Sequence, residues 1–114
     1  MARILQGECK LLRVFSDTSA RWHGQPLGEA IVQAARKAGM AGASLFDGIE
    51  GFRTGGPMIE HEASTWNLKS PHETLVEIVD EAERIDAFLA NSHELLKGAV
   101  VTVERAFIPS LEEI

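Results

Sequence analysis

The chain has 114 residues, 45% of them apolar and 25% charged, values that fit one ordinary globular domain and argue against a mainly disordered chain. Eleven basic against seventeen acidic residues leave a formal charge of -6, which disfavours nonspecific nucleic-acid binding and a polybasic membrane surface. One cysteine, Cys9, cannot close an intramolecular disulfide, and no apolar run reaches membrane-spanning length or resembles a signal peptide, so a soluble, cytoplasmic domain is expected.

The segment from Cys9 to Ser16 is short and apolar and stops at Ser16-Asp17-Thr18-Ser19; it reads as a strand. Its faces, Leu11/Arg13/Phe15 and Lys10/Leu12/Val14, are both largely apolar, so both are expected to be covered. Cys9 opens this strand with no base nearby to activate it and reads as structural. A loop Arg21-Trp22-His23-Gly24-Gln25-Pro26 follows, with Pro26 placed for a first helical turn. Leu27, Ala30, Ile31, Ala34, Ala35 and Ala38 recur at helical spacing, and Gly39 and Gly42 end that helix.

A second strand is predicted over 43–53, weakened by Gly48 and Gly51, which suggest a bulge or a close backbone approach. Residues 54–72 show no clear period, and a long irregular stretch in a small domain tends to be functional or mobile. Thr74 to Asp80 is a third strand, and Ala82, Ile85, Phe88, Leu89, Leu95 and Leu96 mark a second helix. Asp80, Glu81 and Glu83 lie at its start, where the helix dipole favours anions. Residues 99–108 form a fourth strand, stopped by Pro109.

The order βαββαβ is an α+β, ferredoxin-like layout: a four-stranded antiparallel sheet with two helices on one face, in one domain over 1–114. Strands one, two and four are apolar on both faces, so the helix-free face is expected to meet another copy of the chain.

The runs Trp22-His23-Gly24-Gln25-Pro26-Leu27, Ala35-Arg36-Lys37-Ala38-Gly39-Met40-Ala41-Gly42-Ala43 and Gly48-Ile49-Glu50-Gly51-Phe52 resemble a bacterial and archaeal PII-like family long carried as uncharacterised. Val76 to Asp80, Ile85 to Leu89 and Ala99 to Glu104 fit the same pattern, and the match spans roughly 9–108. This family is similar to the nitrogen-regulatory PII proteins and the divalent-cation-tolerance proteins. The resemblance implies a homotrimer, a small effector in intersubunit clefts, and a long T-loop after strand two that contacts a target such as a membrane transporter or channel. Residues 54–72 hold the T-loop position. The glycine- and lysine-rich phosphate loop of PII proteins is replaced here by Asp80-Glu81-Ala82-Glu83-Arg84, and 73–86 carries six acids and one base. Such a segment repels a triphosphate, which argues against a PII-style ATP site and 2-oxoglutarate sensing. A nucleoside monophosphate, a cyclic nucleotide or another small ligand stays compatible, an adenine nucleotide among them.

Candidate ligand residues are Arg21, Trp22 and His23 between strand one and helix one, and Gly48, Glu50, Gly51, Phe52 and Arg53 at the end of strand two. Arg21 offers a planar fork of donors, Trp22 a stacking face and His23 a group that titrates near neutrality. The plainer readings are that Trp22 packs on the sheet edge, that His23 bonds locally, and that the glycines mark a bulged strand end. Gly51-Phe52-Arg53-Thr54-Gly55-Gly56-Pro57 lacks the Lys-Ser/Thr of a phosphate loop. Arg13 and Arg53 each want an acidic partner (Glu50, Glu104 or a neighbouring subunit) or an anion.

Met58, His61 and Trp66 are candidate partner contacts on the loop, Trp66 as an anchor. Glu60-His61-Glu62 lacks a second histidine at ligand spacing, so no metal site is expected. The reading favoured is a non-enzymatic regulatory module. The alternatives are a metal-binding protein of the cation-tolerance kind and a small ferredoxin-like enzyme using His23 and Glu50.

Overall fold

The structure is a computed structural model that describes residues 4–51, 59–60 and 72–111. Among them, four strands form one antiparallel sheet: β1 (Gly7–Asp17), β4 (Ser44–Asp47), β7 (Glu73–Glu81) and β8 (Val100–Ile108), in the order β4-β7-β1-β8. This is the strand order of the predicted ferredoxin-like layout, with the first and third sheet strands central. Smaller elements complete the chain: β2 (Arg21–Trp22), β3 (Gln25–Pro26), β5 (Glu50–Gly51), β6 (Ile59–Glu60), and helices α1 (Leu27–Lys37), α2 (Ala82–Asn91) and α3 (His93–Leu96).

Strand periodicity sorts the two sheet faces. Leu12 and Val14 of β1 and Val76 and Ile78 of β7 are each at most 1% exposed and pack with Leu27, Ile31 and Ala35 of α1 and Ile85 and Phe88 of α2. Each fully buried Leu or Ile contributes about 1.5–3 kcal/mol. The same face ends in a buried hydroxyl pair, Ser16 Oγ to Thr74 Oγ1 at 3.0 Å. Among the described residues, the other face carries no helix and alternates with the first. Phe46 of β4 opposes Leu75, Leu75 opposes Phe15, and Phe15 opposes Val100, so one apolar row crosses all four strands. The next row holds charge instead. Arg13 Nε donates to Glu77 Oε2 at 2.9 Å, and its Nη1 donates to Glu104 Oε1 at 2.5 Å. These two carboxylates, Glu77 before Glu104, push the guanidinium further up. Glu104 was one partner expected from the sequence; Glu77 was not.

Three boundaries differ from the sequence reading. The predicted strand over 43–53 divides: β4 stops at Asp47, and the chain then forms β5, which pairs with β6 rather than with the main sheet. The single second helix is interrupted at Ser92 into α2 and α3. The loop 21–26 is a small hairpin, β2 with β3, turned through His23 (φ 48°) and Gly24 (φ 85°). Two successive positive φ values suit a tight hairpin, and a glycine takes the second at little cost. Pro26 stands one position before the first helical residue, and the N–H of Leu27 donates to the Ala20 carbonyl at 2.9 Å, so one of the helix's orphan donors is satisfied.

Asp80 is not a solvated acid at a helix start. It is the last inward residue of β7 and fully buried. Cys9 is buried too; burial first, then Asp80 and Glu81, pushes its thiol up, in keeping with a structural cysteine. No helix among the described residues is long and apolar enough to cross a membrane.

Candidate functional site

Two clefts flank the end of the sheet where β4 and β7 meet. The first, about 470 Å³, lies over the apolar row, with Phe15, Phe46, Leu75 and Val100 as walls and Asp47, Gly48, Gly51, Glu73 and Thr74 at its rim. The second, about 550 Å³, is polar and includes Asp17, Thr18, Arg21, Glu29, Asp47, His72 and Thr74. Both volumes are within the range of small-molecule sites. Asp47 and Thr74 line both clefts.

The structure therefore divides the predicted ligand residues. Gly48 and Gly51 belong to the apolar cleft, and Arg21 to the polar one. Trp22, His23 and Glu50 line neither. Trp22 packs against the core, and its ring stacks on His23 with centroids 4.4 Å apart and planes 13° apart, an offset aromatic contact. His23 sits in the β2–β3 turn and Glu50 in β5. Phe52, Arg53, Met58, His61 and Trp66 lie outside the described residues, as does most of the 54–72 segment. Among the described residues, no three His, Cys, Asp or Glu side chains stand together as a metal-holding group.

The close backbone approach expected at the glycines is made onto Glu73. A Cβ on Gly48 would stand 2.8 Å from Glu73 Cβ, and one on Gly51 would stand 2.9 Å from Glu73 Cγ. Gly48 also donates its N–H to the Glu73 carbonyl at 2.7 Å. Gly48→Ala is thus expected to destabilise the protein by about 1–3 kcal/mol, since the atom it meets is held by β7 backbone. Gly28→Ala meets the free end of the Leu45 side chain, at 2.9 Å, and is expected to stay within about 0.5 kcal/mol of wild type. Urea denaturation of the two variants side by side checks this; equal losses would show that Glu73 yields as readily as Leu45.

Residues that motif reading missed are Phe15, Phe46, Asp47, His72, Glu73 and Thr74. Their signal is pairing across the sheet, because each is ordinary in its own stretch of sequence. Three acids of the acid-rich segment are engaged within the chain: Glu77 is paired with Arg13, Asp86 with Lys10 at 2.7 Å, and Asp80 is buried on backbone N–H groups.

Comparison with known proteins places this geometry. Solved structures of similar fold include CPII, a nitrogen regulatory PII-like protein from Thiomonas intermedia K12, bound to ADP, AMP and bicarbonate (TM-score 0.66, 15% identity, 90% of each chain). The same protein bound to ADP and bicarbonate aligns with a TM-score of 0.63 at 15% identity, over 90% of each chain. CutA from Synechococcus elongatus PCC7942, complexed with a Bis-Tris molecule, aligns at 0.58 with 18% identity over 96% of this chain and 90% of its own. At these identities the likeness establishes the fold. In sequence, a UPF0166 protein of Aquifex aeolicus (strain VF5) is 32% identical over 98 residues, 83% of this chain and 88% of the relative. The family model DUF190, described as "Uncharacterized ACR, COG1993", matches residues 9–108. With the PII-like sheet, the helix-free apolar face and a family match across almost the whole chain, the protein belongs to the DUF190 family.

Proposed function

We propose that the protein is a non-enzymatic regulatory module that acts as a homotrimer. It closes its helix-free sheet face against neighbouring copies and takes a small effector in the clefts so formed. Segment 54–72 contacts a target such as a membrane transporter. The observation that carries this reading is the apolar row Phe46–Leu75–Phe15–Val100. It crosses the sheet on the face without helices, opens onto the 470 Å³ cleft, and leaves Phe46 48% and Val100 52% exposed in the single chain. An exposed apolar row on a sheet asks for a cover.

The effector we favour is an adenine nucleotide of low charge. The cleft offers flat apolar walls with the acceptor carboxylates Asp47 and Glu73 at its rim; this suits a ring bearing amine donors and repels a heavily charged phosphate chain. The ADP and AMP bound to the PII-like neighbour support the same class. The effector regulates only if it binds one state of the loop better than the other.

Native mass spectrometry of the purified protein against AMP, ADP, ATP, cyclic AMP and bicarbonate tests the reading. The expected spectrum is a trimer carrying up to three copies of AMP or cyclic AMP and little ATP. A trimer that binds none of these removes the nucleotide, and a monomer removes the intersubunit cleft.

A further inference from the structure

At the sheet end shared by the two clefts, three segments are tied to one residue. His72 Nε2 lies 2.9 Å from Asp47 Oδ1. The His72 N–H donates to Thr18 Oγ1 at 3.0 Å, and the Thr18 N–H donates to the His72 carbonyl at 2.9 Å. One residue further, the Glu73 carbonyl accepts the Gly48 N–H at 2.7 Å. The chain leaving β4 is therefore clasped to the chain that begins β7, and both are clasped to the turn after β1. The side chain of His72 is 10% exposed and that of Asp47 56%, a buried anchor holding a reachable arm.

The β5–β6 hairpin hangs from this clasp. Two residues, Gly48 and Ile49, separate β4 from β5, and beyond them pairing passes from the main sheet to the hairpin itself, Glu50 with Glu60 and Gly51 with Ile59. The chain thus leaves the sheet where Asp47 and Gly48 are held. A charge-assisted contact is stronger than a neutral one, and segments of a fold open locally with free energies well below the global value.

We propose that the Asp47–His72 pair is a conformational joint that sets how often the root of the β5–β6 hairpin opens from the sheet, separately from the stability of the sheet. The inference goes beyond the effector reading and holds without it, because the clasp is made by residues of the chain itself. Asp17, Arg21 and Glu29 line the same cleft and Glu73 follows on β7, so the variants are compared at one pH and ionic strength.

The test is amide hydrogen exchange of the full chain in wild type, Asp47→Ala, His72→Leu, which carries no donor, and the double variant. Exchange at Gly48 through Gly51 is expected to rise about tenfold in each single variant. The double variant is expected to be no faster than either, as coupled partners require. Leu12 and Ile78 keep their wild-type rates. Unchanged rates at Gly48 through Gly51 would overturn the joint. An equal rise at Leu12 and Ile78 would also overturn it, by making the pair a general stabiliser. Should His72→Leu fail to fold, Asp47→Ala reads the same joint from its exposed side.

Discussion

Replacing Asp80 by alanine is expected to lower the unfolding free energy by about 2–4 kcal/mol, a large share of the ~5–15 kcal/mol typical of a domain. The carboxylate is fully buried. Its Oδ2 accepts the Ala41 N–H at 2.9 Å, and its Oδ1 accepts the Glu81 N–H at 2.7 Å. One side chain thus fastens the turn before β4 to the place where β7 becomes α2. Alanine removes both acceptors and leaves a void among close-packed atoms, and each orphaned donor costs about 1–3 kcal/mol. Asp80→Asn keeps the shape but turns one acceptor into a donor, so roughly half the loss is expected. Urea denaturation at one fixed protein concentration reads both values, since self-association would otherwise shift the midpoint. A loss below about 1 kcal/mol for Asp80→Ala would mean that the two N–H groups find other partners at little cost.

Asp80 also shows where sequence reading stops. Its neighbours Glu81 and Glu83 are acids at a helix start, and by local pattern Asp80 belongs with them. Its inward direction follows from strand parity with Thr74, Val76 and Ile78, which the predicted strand already contained; what no local pattern gives is the N–H of Ala41, from across the fold, that receives the buried carboxylate. The sheet strands, both main helices and the weakness at Gly48 were legible because each rests on a local period or a single residue's conformational demand. The division of the second strand was not. β5 leaves the sheet because its partner is β6, and nothing within 43–53 names that partner. The candidate site follows the same rule. Arg21 and the two glycines were found as unusual residues, whereas Phe15, Phe46, Leu75 and Val100 become a surface through cross-strand register alone. His72 is one of four histidines without metal-ligand spacing, and such spacing detects metal sites and not a pair formed across the fold with Asp47.

Val100→Glu is expected to abolish the proposed trimer while leaving the protomer folded. In the single chain Val100 is 52% exposed on an edge strand, so a carboxylate there can stay in water and should change protomer stability by no more than about 0.5 kcal/mol. In a closed assembly the same carboxylate would be pressed against Phe15, its neighbour on β1, and whatever covers that row. An ionised group desolvated without a partner costs several kcal/mol, and a ring of identical subunits repeats that cost at every interface. Arg13 is no ready counter-ion, because it is already engaged by Glu77 and Glu104. Light scattering after size exclusion, with Gln33→Glu on the exposed side of α1 as the matched control for charge, should give monomer for the first variant and the wild-type mass for the second. Circular dichroism should be the same in both. If Val100→Glu keeps the wild-type mass, the helix-free face is not where copies of the chain meet, and the apolar cleft must take its ligand from one chain alone.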